Sequence, residues 1–425
     1  ISNSIHNRLK KAINEGSKPL TLIVDSSTDV SKKDILAVLI RTLEDDVPVT
    51  YFYGFVQLKA DGRAIAQTDC ILKRFVNDGT YEAIKRRIIS FVSDGASVMQ
   101  GKWKGMATLL RKEFGNQLVS VHCGNHRLES AFGHSMDQFE SFKRLEQQAN
   151  KLYSFYSIAN KKRYGKLMEF LEENQLEEFN IHYVFKVRWV DSHRAVIKKI
   201  YDHQAEIVGH LKEMIRNEDN KVSPRANLAK KAKKRPPTAK KATSLLKFYT
   251  NKNVILTTTY QLDVQATFSK ISKVFQNNDE CIIGFAHAKS DIVENLHKLR
   301  DPSNGPETAK FLNTAICGGA PCGTMDNFEQ STHIQWKGVT LEDVWVRDMC
   351  GYDDFPKLSE IYLQYLKKIE EYMQQYFPDV KIMHFDLLDN RDWDARNWTY
   401  QDMKTKMEGI MSVLQLRKPA TILKE

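Results

Sequence analysis

The chain has 425 residues, 42% hydrophobic and 27% charged, an ordinary globular mixture with room for two or three domains and a large core. No apolar run approaches the length that spans a bilayer, so a soluble protein with no membrane partner is expected; the six cysteines, at 70, 123, 281, 317, 322 and 350, are too sparse for a disulfide scaffold and suggest a reducing compartment. The net charge of +10 favours an anionic partner, and nucleic acid is the commonest.

The opening Ile1-Ser2-Asn3-Ser4-Ile5-His6 is neither a signal peptide nor a Met start, which suggests a piece of something longer. Ile5, Leu9, Ala12 and Ile13 share one face of a predicted helix over 1–15 that stops at Gly16. Leu20–Val24 reads as a short buried strand. Ile35–Thr42 and Val47–Leu58 read as a hairpin around the polar turn Glu44-Asp45-Asp46. A helix around Tyr81–Arg87 leads into a strand at Ile88–Val92. A helix from about Ala96 to Phe114, capped by Gly115, leads into a fifth strand at Leu118–Val121. Three antiparallel strands followed by helix, strand, helix and strand is the order of an α/β, RNase H-like core, in which the first and fourth strands are neighbours. Beyond about residue 124, apolar residues recur at three- and four-residue spacing. Helices are predicted at Phe142–Tyr156, Lys166–Leu176, Ala195–Ile215, Val264–Phe275 and Leu358–Phe377. The expected organisation is therefore the first part of the core at 1–135 and a large all-helical insertion at 136–425. A disordered basic loop is expected within the insertion at about 219–246.

Two apolar runs end abruptly in an aspartate: Leu22-Ile23-Val24-Asp25 and Phe91-Val92-Ser93-Asp94. A carboxylate at the end of a buried strand is costly unless something pairs with it. Two of them on adjacent strands would share a divalent cation, as nucleases and transposases do. The competing reading is that each aspartate caps a strand-to-loop turn. His122-Cys123-Gly124-Asn125-His126 follows the fifth strand, with Cys123 and His126 spaced as two ligands on one turn. No second pair completes a zinc finger, so His126 either orients a carboxylate or phosphate or is a satisfied structural histidine. In Val187-Arg188-Trp189-Val190-Asp191-Ser192 the tryptophan could stack on an unpaired base while the arginine grips phosphate. On the residues alone, packing is the stronger reading for Trp189. From Lys221 to Lys241 there are nine Lys/Arg and no acid. Within that stretch Lys230, Lys231, Lys233, Lys234 and Arg235 read as a nuclear-localisation or phosphate-binding patch on a solvated loop. Cys317-Gly-Gly-Ala-Pro-Cys322 reads as a Gly/Pro loop carrying two thiols, with no zinc.

VDSSTDVS (24–31), SDGASVM (93–99), VHCGNHRLE (121–129) and VRWVDS (187–192), in this order and spacing, resemble the hAT-superfamily transposases and the zinc-finger-type host proteins derived from them. Leu262–Leu299, Tyr376–Asp379, Phe385–Leu388 and Trp393 resemble the helical insertion of the same proteins more loosely. The resemblance implies an RNase H-like DDE enzyme that cuts and joins DNA with Mg²⁺ or Mn²⁺ in the nucleus. It implies Asp25 and Asp94 as two catalytic acids, Cys123 and His126 as support beside them, and Arg188 and Trp189 as contacts to the DNA end. The family's third acid, a Glu after the insertion, has no recognisable match; Glu408 is a late helical candidate. The family's N-terminal zinc-binding finger is also not seen, so an incomplete enzyme is expected, one that could form homo-oligomers. The alternatives are a domesticated, non-catalytic DNA- or chromatin-binding regulator on the same scaffold, and a protein-interaction scaffold.

Overall fold

The computed structural model describes residues 2–28, 34–45, 47–58, 62–115, 118–157, 161–184, 190–220, 237–276, 282–342, 357–377 and 399–413. The chain divides into two compact units. The first comprises 1–130, 273–288 and 374–425, and the second 131–272 and 289–373.

The first unit opens with α1 (Ser2–Glu15), β1 (Leu20–Thr28), β2 (Asp34–Glu44) and β3 (Val47–Gln57). It continues with α2 (Ala64–Asn77), α3 (Tyr81–Arg87), β4 (Ile88–Ser93), α4 (Ser97–Gln100), α5 (Met106–Phe114), β5 (Val119–His122) and the start of α6 (Gly124–Asp137). The five strands form one sheet in the order β3-β2-β1-β4-β5. The pairs β1/β2 and β2/β3 are antiparallel, whereas β1/β4 and β4/β5 are parallel. Parallel neighbours need crossovers, supplied here by α2–α3 and by α4–α5. This is the expected α/β arrangement, with the first and fourth strands adjacent.

Strand alternation decides which face of the sheet is the core. Leu20, Leu22 and Val24 of β1, with Leu36, Val38 and Ile40 of β2 and Phe91 of β4, are buried in one cluster with Ile71, Phe75 and Leu110 of the helices. Thr21, Ile23 and Asp25 therefore belong to the opposite face. Two features of this unit differ from expectation. Helix α2 lies where no element is expected, and Ile71 and Phe75 anchor it in the core. The single helix expected at 96–114 is two helices, because the chain doubles back between Gly101 and Gly105. A Cβ on Gly101 would collide with the Ser97 carbonyl oxygen, and one on Gly105 would collide with the Gly101 nitrogen.

The second unit is built mainly of helices: α7 (Glu140–Tyr156), α8 (Lys161–Glu173), α9 (Val190–Asp202), α10 (Gln204–Asn220), α11 (Pro237–Tyr249), α12 (Lys252–Gln276), α13 (Ile282–Lys298) and α14 (Pro306–Thr314), of which the end of α12 from residue 273 and the start of α13 to residue 288 group with the first unit. After β6 (Ile316–Cys317) and β7 (Ala320–Pro321) come α15 (Met325–Gln330), β8 (His333–Trp336), β9 (Val339–Glu342) and α16 (Leu358–Tyr376). The chain's last described element, α17 (Tyr400–Val413), groups with the first unit. Helix α12 is the axis of the second unit's core. Its Tyr260 ring stacks on Tyr362 of α16 at 4.0 Å, and Phe268 packs on Phe132 at 5.4 Å.

Three details of this unit depart from expectation. The region is mainly helical, but β6–β9 add a small four-stranded sheet in the order β7-β6-β8-β9. Of the loop expected at about 219–246, the part from Pro237 onward is helix, because Leu245, Phe248 and Tyr249 of α11 are buried; residues 221–236 lie outside the described residues. Cys317 and Cys322 are joined as a disulfide with their Cα atoms 5.1 Å apart, rather than standing as two thiols. The β6–β7 hairpin turns through Gly318 and Gly319 at φ of 60° and 96°, which brings the two positions together. Among the described residues, no helix is long and apolar enough to cross a membrane.

Candidate functional site

Parallel strands deliver their carboxyl ends to one edge of a sheet, where loops and helix starts gather side chains. Here β1, β4 and β5 share such an edge. Ile23 is in register with Val92, and Val92 and Ser93 with Val121 and His122. Asp25 and Asp94 each follow two residues after that shared register point, and His122 ends the neighbouring strand. The Cys123 amide donates to the Ser93 carbonyl at 2.7 Å, which ties the start of α6 to the end of β4. The same helix start is held from its other side. The Phe275 ring lies 2.6 Å from where a Gly124 Cβ would stand, and Arg127 Nη1 donates to the Tyr376 carbonyl at 3.0 Å.

The Asp25 carboxyl is 54% exposed and lies 3.9 Å from His126 Nε2. Its pKa is raised, first by partial desolvation and further by the negative charge of Asp94, with His126 opposing. That repulsion means the two acids are close enough to feel each other's charge. Asp94 also accepts the Ala96 amide on Oδ1 at 3.0 Å, so it caps its turn as well as acting on Asp25.

The two histidines behave oppositely. His122 is pushed down to about 4 by burial and by the nearby positive charges of Arg127 and His126, so it is neutral at physiological pH. His126 is raised, first by its hydrogen bond with Cys123 and then by the negative charges of Cys123, Asp25 and Asp94. For Cys123, burial pushes the thiol up, but hydrogen bonds from the His126 side chain and backbone outweigh it and the pKa falls. The contact between the Cys123 thiol and the His126 imidazole thus shifts both groups, one down and the other up, beside the acids. The Gly95 backbone leaves room for His122: a Cβ there would collide with the ring's Cε1.

Sequence reasoning missed the bridge that braces this edge. Gln100 Nε2 donates to Ser93 Oγ at 2.7 Å, and Ser120 Oγ donates to Gln100 Oε1 at 2.5 Å. It also gave no role to His122. The adjacency of His122 to the Cys123/His126 pair was the available signal. The expected sites are therefore divided. Asp25, Asp94, Cys123 and His126 come together. Arg188, Trp189, Lys230, Lys231, Lys233, Lys234 and Arg235 lie outside the described residues. Glu408 is on α17.

Two oxygen-donor carboxylates on a half-open edge suit a hard divalent cation, which commonly takes one or two carboxylates and completes its shell with water or phosphate oxygens. The raised pKa of Asp25 comes first from partial burial and only then from Asp94, and a cation between the acids would offset both. Among the described residues, no group of three His, Cys, Asp or Glu is placed to hold a metal.

Residues 1–105 match the family model described as the ZMYM1/FAM200 RNase-like domain. The matched stretch holds both acids, and it indicates an RNase-like domain of a transposase-related, zinc-finger-associated kind. A search of curated proteins found no match.

Proposed function

We propose that the chain is the core and insertion of an hAT-like DNA transposase. It would bind DNA ends in the nucleus and act on them with Mg²⁺ or Mn²⁺ at Asp25 and Asp94, and homo-oligomers are compatible with this. The observation that supports the reading is the electrostatic coupling of Asp25 to Asp94 at the shared edge of β1 and β4. A bound cation would polarise phosphate oxygens and water there. The chain's own part is to hold two carboxylates on a braced strand edge and to set His126 beside Asp25. The braced edge serves equally well for holding a DNA end without cutting it. The domesticated, DNA- or chromatin-binding reading therefore shares this site and parts from the enzyme at the third acid.

The test is electrophoretic mobility shift with hairpin-ended and blunt duplexes over a salt series, followed by incubation with Mn²⁺. Salt-dependent binding, tighter for the hairpin end, is expected. Cleavage lost in Asp25→Asn supports the enzyme; binding without cleavage supports the regulator. Absence of salt-dependent binding overturns both and leaves the protein-interaction scaffold.

A further inference from the structure

The chain reverses between α4 and α5 through Gly101-Lys102-Trp103-Lys104-Gly105. Trp103 is 77% exposed, the most exposed large apolar side chain among the described residues. Lys102 and Lys104 are exposed on either side of it, and Lys102 Nζ lies 5.0 Å from its ring centroid. From Gly95 to Lys112 the chain carries Lys102, Lys104, Arg111 and Lys112 and no acid.

The turn is held rigid from beneath. The Gly105 amide donates to the Gly101 carbonyl at 2.9 Å, and Thr108 Oγ1 donates to the carbonyls of Gly101 and Lys102 at 3.1 and 3.0 Å. The residue before the turn, Gln100, is the one that bridges Ser93 and Ser120 beside Asp94. A tryptophan presented on a pinned turn loses little freedom on binding. Its flanking lysines suit a polyanion with exposed rings better than an apolar protein surface.

We propose that this turn is a docking point for unpaired nucleic acid, with Trp103 stacking on a base and Lys102 and Lys104 neutralising the flanking phosphates. The proposal rests on the DNA-binding reading above and adds to it a contact on the α4–α5 turn.

The test is fluorescence anisotropy of the full chain with a labelled oligo-dT strand and with a labelled duplex, over a salt series. Trp103→Ala is expected to weaken single-strand binding about tenfold and duplex binding less than about twofold, with Trp103→Phe retaining most of the affinity. Replacing Lys102 and Lys104 together by alanine is expected to flatten the single-strand salt slope by about one. Unchanged single-strand affinity in Trp103→Ala, or equal losses on strand and duplex, overturns the proposal and leaves the DNA reading standing. A wild-type chain that binds neither probe overturns both.

Discussion

Two buried charges of the second unit are answered from within the protein, whereas the two acids at the core-sheet edge of the first are partly open to solvent. Asp263 of α12 is 3% exposed; its carboxylate accepts the amides of Glu307 and Thr308 at 2.8 and 3.0 Å and the Thr308 hydroxyl at 2.8 Å. Lys252 is 2% exposed, and its ammonium donates to the carbonyls of Phe328, Glu329 and Ser331 at 3.3, 3.2 and 2.6 Å. These two groups close the ends of α14 and α15, and their charge serves the architecture. Asp25 instead meets a histidine at 3.9 Å and a second acid that repels it. Burial raises the pKa of both acids, but the Asp263 carboxylate is taken up by three hydrogen bonds within the protein, whereas Asp25 meets a like charge and is left available to a ligand.

The contrast breaks first at Asp263. Asp263→Ala leaves helix-start amides of α14 without their acceptor and is expected to cost about 2–4 kcal/mol by denaturant titration. Asp25→Asn is expected to change stability by less than about 0.5 kcal/mol in the same titration. Comparable losses in the two variants would erase the distinction. Lys252→Met keeps the apolar stem but removes the ammonium from three carbonyls, of which Phe328 keeps the Ser331 amide, and a loss of about 1–3 kcal/mol is expected.

A smaller effect is expected at Asp78, which closes α2 in the first unit and accepts Arg74 Nε at 2.7 Å and His6 Nε2 at 3.2 Å. Burial pushes its pKa up, but hydrogen bonds from Tyr53 and Arg74 and the charge of Arg74 outweigh it, and the net shift is downward. A depressed acid stabilises the fold above its unfolded pKa, near 4, and that contribution is lost as pH falls through the folded value. Asp78→Asn is expected to remove about 1 kcal/mol at neutral pH and to flatten the acid limb of a stability profile.

The smallest effect concerns His126, whose pKa is raised. Its positive charge is present below the unfolded value near 6.5 and is lost as pH rises through the folded one. A cation at Asp25 should therefore bind more tightly as His126 loses its proton. A several-fold gain in Mn²⁺ affinity as pH rises through the folded His126 pKa is expected in the wild type and a flatter profile in His126→Gln, measured by calorimetry.

Much of the core was legible because its strands are apolar or alternating runs set between polar turns. Asp94 marked the end of β4, whereas β1 runs on past Asp25 to Thr28 in pairing with β2, so Asp25 marks only where β1 leaves β4. The α4–α5 reversal was less legible, since Gly101 and Gly105 sit in an otherwise helical pattern and only their close approach shows why the helix breaks. The break between α9 and α10 at His203 carries no proline or glycine at all. The β6–β9 sheet was hidden because its strands are two to four residues long, too short for alternation to register. The polarities of His122 and His126 were hidden in part for another reason: His122 is lowered first by burial, and the rise at His126, led by nearby Cys123, is completed by Asp25 and Asp94, which only folding brings in.

Isothermal titration of Mn²⁺ into the wild type, Asp25→Asn and Asp94→Asn, each checked for an intact fold by circular dichroism, tests the paired-acid site most directly. The account predicts one binding event in the wild type, weakened at least about tenfold in each variant. Equal Mn²⁺ affinity in all three folded proteins would contradict it.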